Sequence, residues 1–240
     1  MQRVAVLGLG TMGIGMALNL LKSFKVVGYN RSAERGRRLE EGGGRFLAEP
    51  AEAVRGADAV VACLANDAAN RDVLLAPELL DALEPGSLVI DCGTTGPEVT
   101  AALAEACAAR SVDFLDAPIT GSKLGAESGR LTFMVGGPSE RVDRARGLFE
   151  AMGKHVVHAG GRVGDGQRIK YCLNMTQAIV MQGVLEGYAL ARAQGLEPSA
   201  LAEVFENSAG KTGVGSLKTP YLQNRDFEPH FRLDLMRKDL

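Results

Sequence analysis

Short apolar runs punctuate the first two-thirds of the chain, at 4–7, 26–29, 59–64, 88–92, 114–117, 131–135 and 156–158. Several contain no polar residue. That is the pattern of strands buried on both faces of a parallel sheet, not the alternation of a strand with one wet face. Between the runs, helices are predicted over 17–22, 33–41, 97–110 and 139–152. Pro97 stands where a first-turn proline belongs, with Glu98 beside it at the positive end of the helix. The β-α alternation predicts a doubly wound α/β domain, with a ligand crevice at the carboxyl ends of its strands.

After Gly160-Gly161 the strand signal stops. A single helical pattern runs over 165–193, carried by Ile169, Cys172, Leu173, Ile179, Val180, Val184, Leu185 and Leu190. Such a helix spans ~40 Å at 1.5 Å per residue, long enough to bridge two bodies. Gly195 is placed to stop it and Pro198 to open the next helix. The division expected is a doubly wound α/β domain over 1–163 and an all-α domain over 164–240 that begins with the long interdomain helix.

Composition narrows the class. With 46% hydrophobic and 23% charged residues the chain is globular. Thirty glycines, one residue in eight and without a triplet period, ask for turns or close backbone approaches rather than collagen. A net charge of −2 favours neither nucleic acid nor an anionic membrane as partner. Cys63, Cys92, Cys107 and Cys172 lack metal-ligand spacing and lie in apolar segments, so buried free thiols in a reducing cytoplasm are expected. His155, His158 and His230 do not cluster, and no metal is expected.

The sharpest motif is GLGTMG over 8–13, preceded by a strand and followed by a helix. Gly8 permits the tight turn, Gly10 lets the backbone approach a pyrophosphate, and Gly13 lets helix and strand pack closely. Leu9, Thr11 and Met12 complete the loop, whose amides are expected to bind phosphate. The six-residue pattern alone also fits an ordinary glycine turn; the strand before it and helix after it favour a dinucleotide. The second strand ends on Asn30-Arg31-Ser32. An NAD-specific site usually carries a carboxylate near here for the ribose 2′-hydroxyl. None is present, and Arg31 can pair with a 2′-phosphate. Ser32 can add a hydroxyl while capping the following helix. NADP is therefore expected over NAD, with Arg35, Arg37 and Arg38 forming a solvated helix face. Leu64 and Ala65 after the strand over 59–64, and Thr94 and Thr95 after that over 88–92, are placed to line the nicotinamide side.

Two further segments carry chemistry. DAPITGSK over 116–123 ends in a small-residue loop whose exposed amides suit a carboxylate. GDGQRIKYCLN over 164–174 enters the long helix and puts Lys170 and Asn174 one turn apart on one face. By spacing alone Lys170 is more often a snorkelling surface lysine.

Taken together, GLGTMGIGMALNL, DAPITGSK, GDGQRIKYCLN and FRLDLMRKDL resemble the β-hydroxyacid dehydrogenase family, and the four motifs span the chain in order. The resemblance implies that Lys170 is the acid/base of a hydride transfer and that Asn174 orients substrate and lysine. It implies that Thr120, Gly121 and Ser122 hold a substrate carboxylate and that Lys238 reaches the cofactor. Phe231 and Asp239 would close the substrate pocket. The Gly121-Ser122-Lys123 triplet is closest to the glyoxylate and succinic semialdehyde reductases, so an NADPH-dependent reductase of small aldehyde or keto acids is expected. The alternatives are a dehydrogenase of 3-hydroxyisobutyrate or a related β-hydroxy acid, and a non-catalytic NADP-binding scaffold, which the pairing of Lys170 with Asn174 opposes. Family members continue past the KDL segment, so the helical domain is expected to lack its last helices. The long helix and helical domain are expected to form a homodimer or tetramer.

Overall fold

A computed structural model describes residues 1–228 and 232–239 of the chain. The strands among them are β1 (Arg3–Leu7), β2 (Lys25–Tyr29), β3 (Arg45–Leu47), β4 (Ala59–Ala62), β5 (Leu88–Asp91), β6 (Asp113–Asp116), β7 (Ile119–Thr120), β8 (Leu131–Gly136) and β9 (Gly153–Gly160). Each apolar run of the sequence is one of them. Only β3 and β7, too short to show a period, were not expected.

Parallel pairing in the order β3-β2-β1-β4-β5-β6 forms the main sheet. This is the doubly wound order, and its topological switch point lies between β1 and β4. Beyond β6 the sheet turns antiparallel: Asp116 opposes Gly136 of β8, β7 pairs with β8 as an antiparallel neighbour, and β9 runs parallel to β8. Side chains alternate between two cores. Val4 and Val6, Ala59 and Val61, Leu88 and Ile90 face one; Ala5 and Leu7, Val60 and Ala62, Val89 and Phe114 face the other. Both faces are dry, which is why the strands read as continuous apolar runs.

The helices on the sheet include Gly13–Leu20, Pro97–Ala108 and Ser139–Met152. The helix expected over 33–41 is divided into a 3-10 turn, Ala33–Gly36, and an α-helix, Arg37–Glu41. Ser32 holds the position before that turn, but its hydroxyl makes no cap hydrogen bond, a correction to the expected cap. Short helices at Pro50–Val54, Asp67–Leu74, Pro77–Leu80 and Ser122–Glu127 have too few turns to show a period. The last corrects the loop expected after Gly121.

The chain divides into two compact units, Met1–Lys170 and Tyr171–Leu240. The long helix runs over Asp165–Ala193. It ends in a Schellman motif: Gly195 takes φ +72°, its N–H donates to the Arg192 carbonyl, and the Leu196 N–H donates to the Ala191 carbonyl. In the second unit, Val184, Tyr188 and Ala202 form a small core with the helix Pro198–Glu206. Tyr188 meets Phe205 edge-on at 5.8 Å. A Cβ on Gly187 would stand 3.2 Å from the Phe205 ring, so the small residue lets that ring approach. The helices Gly213–Gln223 and Leu233–Asp239 follow. Among the described residues no helix is long and apolar enough to cross a membrane.

Candidate active site

The glycine loop lies at the switch point, between the ends of β1 and β4. Gly8 adopts φ +96°, and a Cβ on it would stand 2.4 Å from the Cys63 carbonyl oxygen. A Cβ on Gly13 would meet the Gly8 carbonyl oxygen at 1.8 Å. Both glycines are therefore required by the protein itself. Gly10 differs: its Cβ would meet nothing within 4 Å. No protein atom demands a glycine there, and a ligand approaching the backbone would. The first turn of the helix Gly13–Leu20 has no side-chain cap from Met12 and no acidic residue. Its positive end suits a phosphate. The loop thus fits a dinucleotide.

Asn30 shapes that loop from the end of β2. Its side-chain oxygen accepts from the Leu9 N–H at 3.0 Å, and its Nδ2 donates to the Ser32 carbonyl at 3.0 Å. Arg31 and Ser32 are exposed, and among the described residues Arg31 forms no ion pair. Thr11 and Ala65 are exposed, and Met12 and Leu64 half-buried, at the same end of the sheet.

The carboxyl ends of β5 and β6 hold a buried polar network that sequence reasoning missed. Asp91, fully buried at the end of β5, accepts from the Gly93 N–H at 2.9 Å and the Thr95 hydroxyl at 2.6 Å. Burial pushes its carboxyl up to about 6; those hydrogen bonds pull the other way, and Asp116 and Asp67 add to the rise. Asn70 donates to the Thr95 hydroxyl at 2.8 Å, and Asp67 accepts from the Gly96 N–H at 2.9 Å. Thr94 is half-buried in the same loop. Asp116, fully buried at the end of β6, accepts from the N–H groups of Gly164 at 2.7 Å and Gln167 at 2.8 Å. It caps the long helix, and burial raises its carboxyl above the usual range against the pull of those bonds. The legible signal was an aspartate following apolar residues at the end of a run, as in LVID over 88–91 and FLD over 114–116.

Lys170 is 8% exposed, which removes the snorkelling reading. Its Nζ donates to the Ile119 carbonyl in β7 at 2.8 Å, so the amine is held at the sheet's carboxyl edge. The chain then turns sharply: Gly121 takes φ +134° and Ser122 φ +60°, a left-handed conformation that serine rarely adopts. Thr120 is half-buried, and Gly121 and Ser122 are exposed.

Within the second unit, three of the expected residues meet. The Asn174 amide donates to Asp239 at 2.8 Å, both being buried, and the Lys238 Nζ lies 2.6 Å from the other Asp239 oxygen. Phe231 lies outside the described residues. Of the cysteines, Cys92 and Cys107 are buried, Cys63 is half-buried, and Cys172 is exposed, a correction caused by its place on the outer side of the long helix. Among the described residues no three His, Cys, Asp or Glu side chains gather as for a metal.

Residues 3–161 match the family described as the NAD binding domain of 6-phosphogluconate dehydrogenase. Residues 164–240 match that described as the NAD-binding of NADP-dependent 3-hydroxyisobutyrate dehydrogenase. Among curated proteins, an NAD-dependent L-serine dehydrogenase of Pseudomonas aeruginosa is 38% identical over 251 aligned positions, covering all of this chain and 83% of its own. A 3-hydroxyisobutyrate dehydrogenase of the same organism is 36% identical, with the same coverage. Among solved structures, Mycobacterium tuberculosis 3-hydroxyisobutyrate dehydrogenase with L-serine superposes with a TM-score of 0.88 at 30% identity, covering all of this chain and 84% of its own. Doubly wound sheet, glycine loop and relatives define an oxidoreductase of the nicotinamide-dinucleotide class. Within that class the chain belongs to the β-hydroxyacid dehydrogenase family.

Proposed function

We propose that the protein interconverts a small 3-hydroxy acid and its semialdehyde, with Lys170 as the proton-transferring group and NADP as the preferred cofactor. The observation that carries the reading is Lys170 itself: a lysine buried at the crevice edge, its amine oriented by the Ile119 carbonyl. Gly8, Leu9, Gly10, Thr11, Met12 and Gly13 would hold the pyrophosphate, Asn30, Arg31 and Ser32 the adenosine ribose, and the segments at Leu64-Ala65 and Thr94-Thr95 the nicotinamide half. By the family resemblance Lys238 would be a further contact of the same cofactor. The nicotinamide, when bound, supplies the carbon that accepts or returns the hydride.

The remaining steps belong to this chain. The turn at Thr120, Gly121 and Ser122 would take the substrate carboxylate on exposed amides and hydroxyls, fixing which end of the molecule faces the lysine. In oxidation neutral Lys170 accepts the hydroxyl proton at Nζ as hydride leaves the same carbon; in reduction its ammonium returns that proton to the carbonyl oxygen. Asn174 would orient substrate and amine, with Asp239 holding the Asn174 amide. The names of the relatives favour 3-hydroxyisobutyrate or L-serine as substrate. The resemblance of the Gly121-Ser122-Lys123 triplet to the glyoxylate and succinic semialdehyde reductases supports reduction of those compounds as the second reading. A cytoplasmic setting and assembly as a homodimer or tetramer complete the proposal.

The test is a two-direction panel: NADP+ or NAD+ with 3-hydroxyisobutyrate and L-serine, NADPH or NADH with glyoxylate and succinic semialdehyde. Lys170→Ala should lower kcat by ~10²–10⁴-fold while the NADPH Kd holds. Turnover at the wild-type rate in that variant refutes the assignment, and tight NADPH binding without turnover on any compound leaves the scaffold reading in its place.

A further inference from the structure

We propose that Gln167 is a positioning residue that joins the loop after β5 to the helix carrying Lys170, so that the hydride side and the proton side of the site are held as one piece. The inference rests on the functional reading above. Gln167 is 1% exposed and lies one turn before Lys170. Its side-chain amide takes both partners from one loop: Oε1 accepts from the Thr95 N–H at 3.1 Å, and Nε2 donates to the Gly93 carbonyl at 2.9 Å. Its backbone N–H donates to Asp116 at 2.8 Å, which fixes the helix start to the end of β6. The space around this start is closed. A Cβ on Gly166 would stand 2.2 Å from the Met134 carbonyl oxygen, and one on Gly136 would stand 2.6 Å from the Gly166 nitrogen.

The chemistry of the side chain is specific. An uncharged amide presents one acceptor and one donor side by side, matching a backbone N–H and C=O in the same loop. A carboxylate would set an oxygen against the Gly93 carbonyl and add a third buried acid beside Asp91 and Asp116. A thioether of similar length would make neither bond. On its own side of the crevice the loop is tied to Asp91 and Asn70. The Gln167 amide joins that loop to the first turn of the helix carrying Lys170 by two hydrogen bonds, so a shift in one is transmitted to the other.

Two variants test this: Gln167→Met, which removes both side-chain bonds, and Gln167→Glu, which keeps an acceptor for the Thr95 N–H and guards against a folding failure of the first. Leu79→Ala, at a fully buried core residue outside those assigned to the site, supplies a matched loss of thermal stability. The first readout needs no substrate. Backbone hydrogen exchange is followed in peptides covering 91–96 and 164–170 with and without NADPH. In the wild type NADPH should slow exchange in both; in the Gln167 variants it should slow only the loop. The second readout is steady-state turnover of 3-hydroxyisobutyrate and L-serine. Both variants should lose kcat, by up to ~10²-fold, with cofactor KM changed less than kcat and with a larger primary deuterium isotope effect; Leu79→Ala should change neither. Protection that reaches 164–170 equally in the variants, or kcat retained while the melting point falls, would overturn the proposal and leave Gln167 a structural residue. Absence of NADPH or NADH protection anywhere in the wild type would instead overturn the reading of the crevice as a dinucleotide site.

Discussion

Asn30 and Arg31 stand side by side at the end of β2 with different partners. Asn30 is spent on the protein: its amide holds Leu9 and Ser32 and so shapes the phosphate loop. Arg31 is exposed and forms no ion pair among the described residues, which leaves its guanidinium for a 2′-phosphate. A charge-assisted hydrogen bond contributes about 1.5–3 kcal/mol, so Arg31→Ala should weaken NADPH binding by ~10–100-fold. NADH, which lacks that phosphate, should lose much less. Titration of both nucleotides by fluorescence quenching decides it, and a parallel loss of the two would return the site to NAD. At this scale Lys170 was legible through the family resemblance and not through its spacing, which it shares with snorkelling surface lysines. The sequence was silent on Gln167, whose role depends on two backbone groups more than seventy positions away.

The loop between β5 and the helix Pro97–Ala108 behaves as an element in its own right, because its geometry is set by one buried carboxylate. Asp91 is pushed up to about 6 mainly by burial, above its ordinary 3.8. The folded protein therefore holds a proton on Asp91 in the window between those values, where the unfolded chain has lost it. That contribution to stability is fully present below about 3.8 and disappears as pH rises through about 6. Its slope reaches at most ~1.4 kcal/mol per pH unit. Urea midpoints measured from pH 4.5 to 6.5 should fall with pH more steeply in the wild type than in Asp91→Asn; equal slopes would place the carboxyl outside this window. Element boundaries followed the same logic of legibility. The helix Ser139–Met152 and the long helix Asp165–Ala193 were readable to the residue, since each has several turns of periodic pattern and a glycine or proline at its end. Ser122–Glu127 was not, because six residues following a left-handed turn carry no period.

For the whole molecule, the outer side of the long helix is the feature that its own unit leaves uncovered. Met175, Ile179 and Leu190 are 53%, 66% and 61% exposed, and Cys172 shares their side. A Cβ on Gly183 in the same row would meet nothing within 4 Å, so this glycine, unlike Gly187, is not explained by packing within the chain. Apolar rows of this kind mark association surfaces. Sedimentation at micromolar concentration should give a dimer or larger for the wild type and a smaller species for Ile179→Glu. A wild-type monomer would remove the oligomer from the proposal.

By itself the sequence determined the doubly wound class, the phosphate loop, the long helix and its stop. These rest on local rules: apolar runs make strands buried on both faces, left-handed turns select glycine, and 3.6-residue periodicity makes helices. What only the tertiary structure decided is how the strand ends are wired. Asp116 and Gln167 satisfy buried backbone groups brought beside them by strand order, across separations of 48 to 74 residues that no local pattern encodes. A buried N–H or C=O must find a partner wherever the fold puts it, and here those obligations fall on the residues that hold the crevice and Lys170 in place.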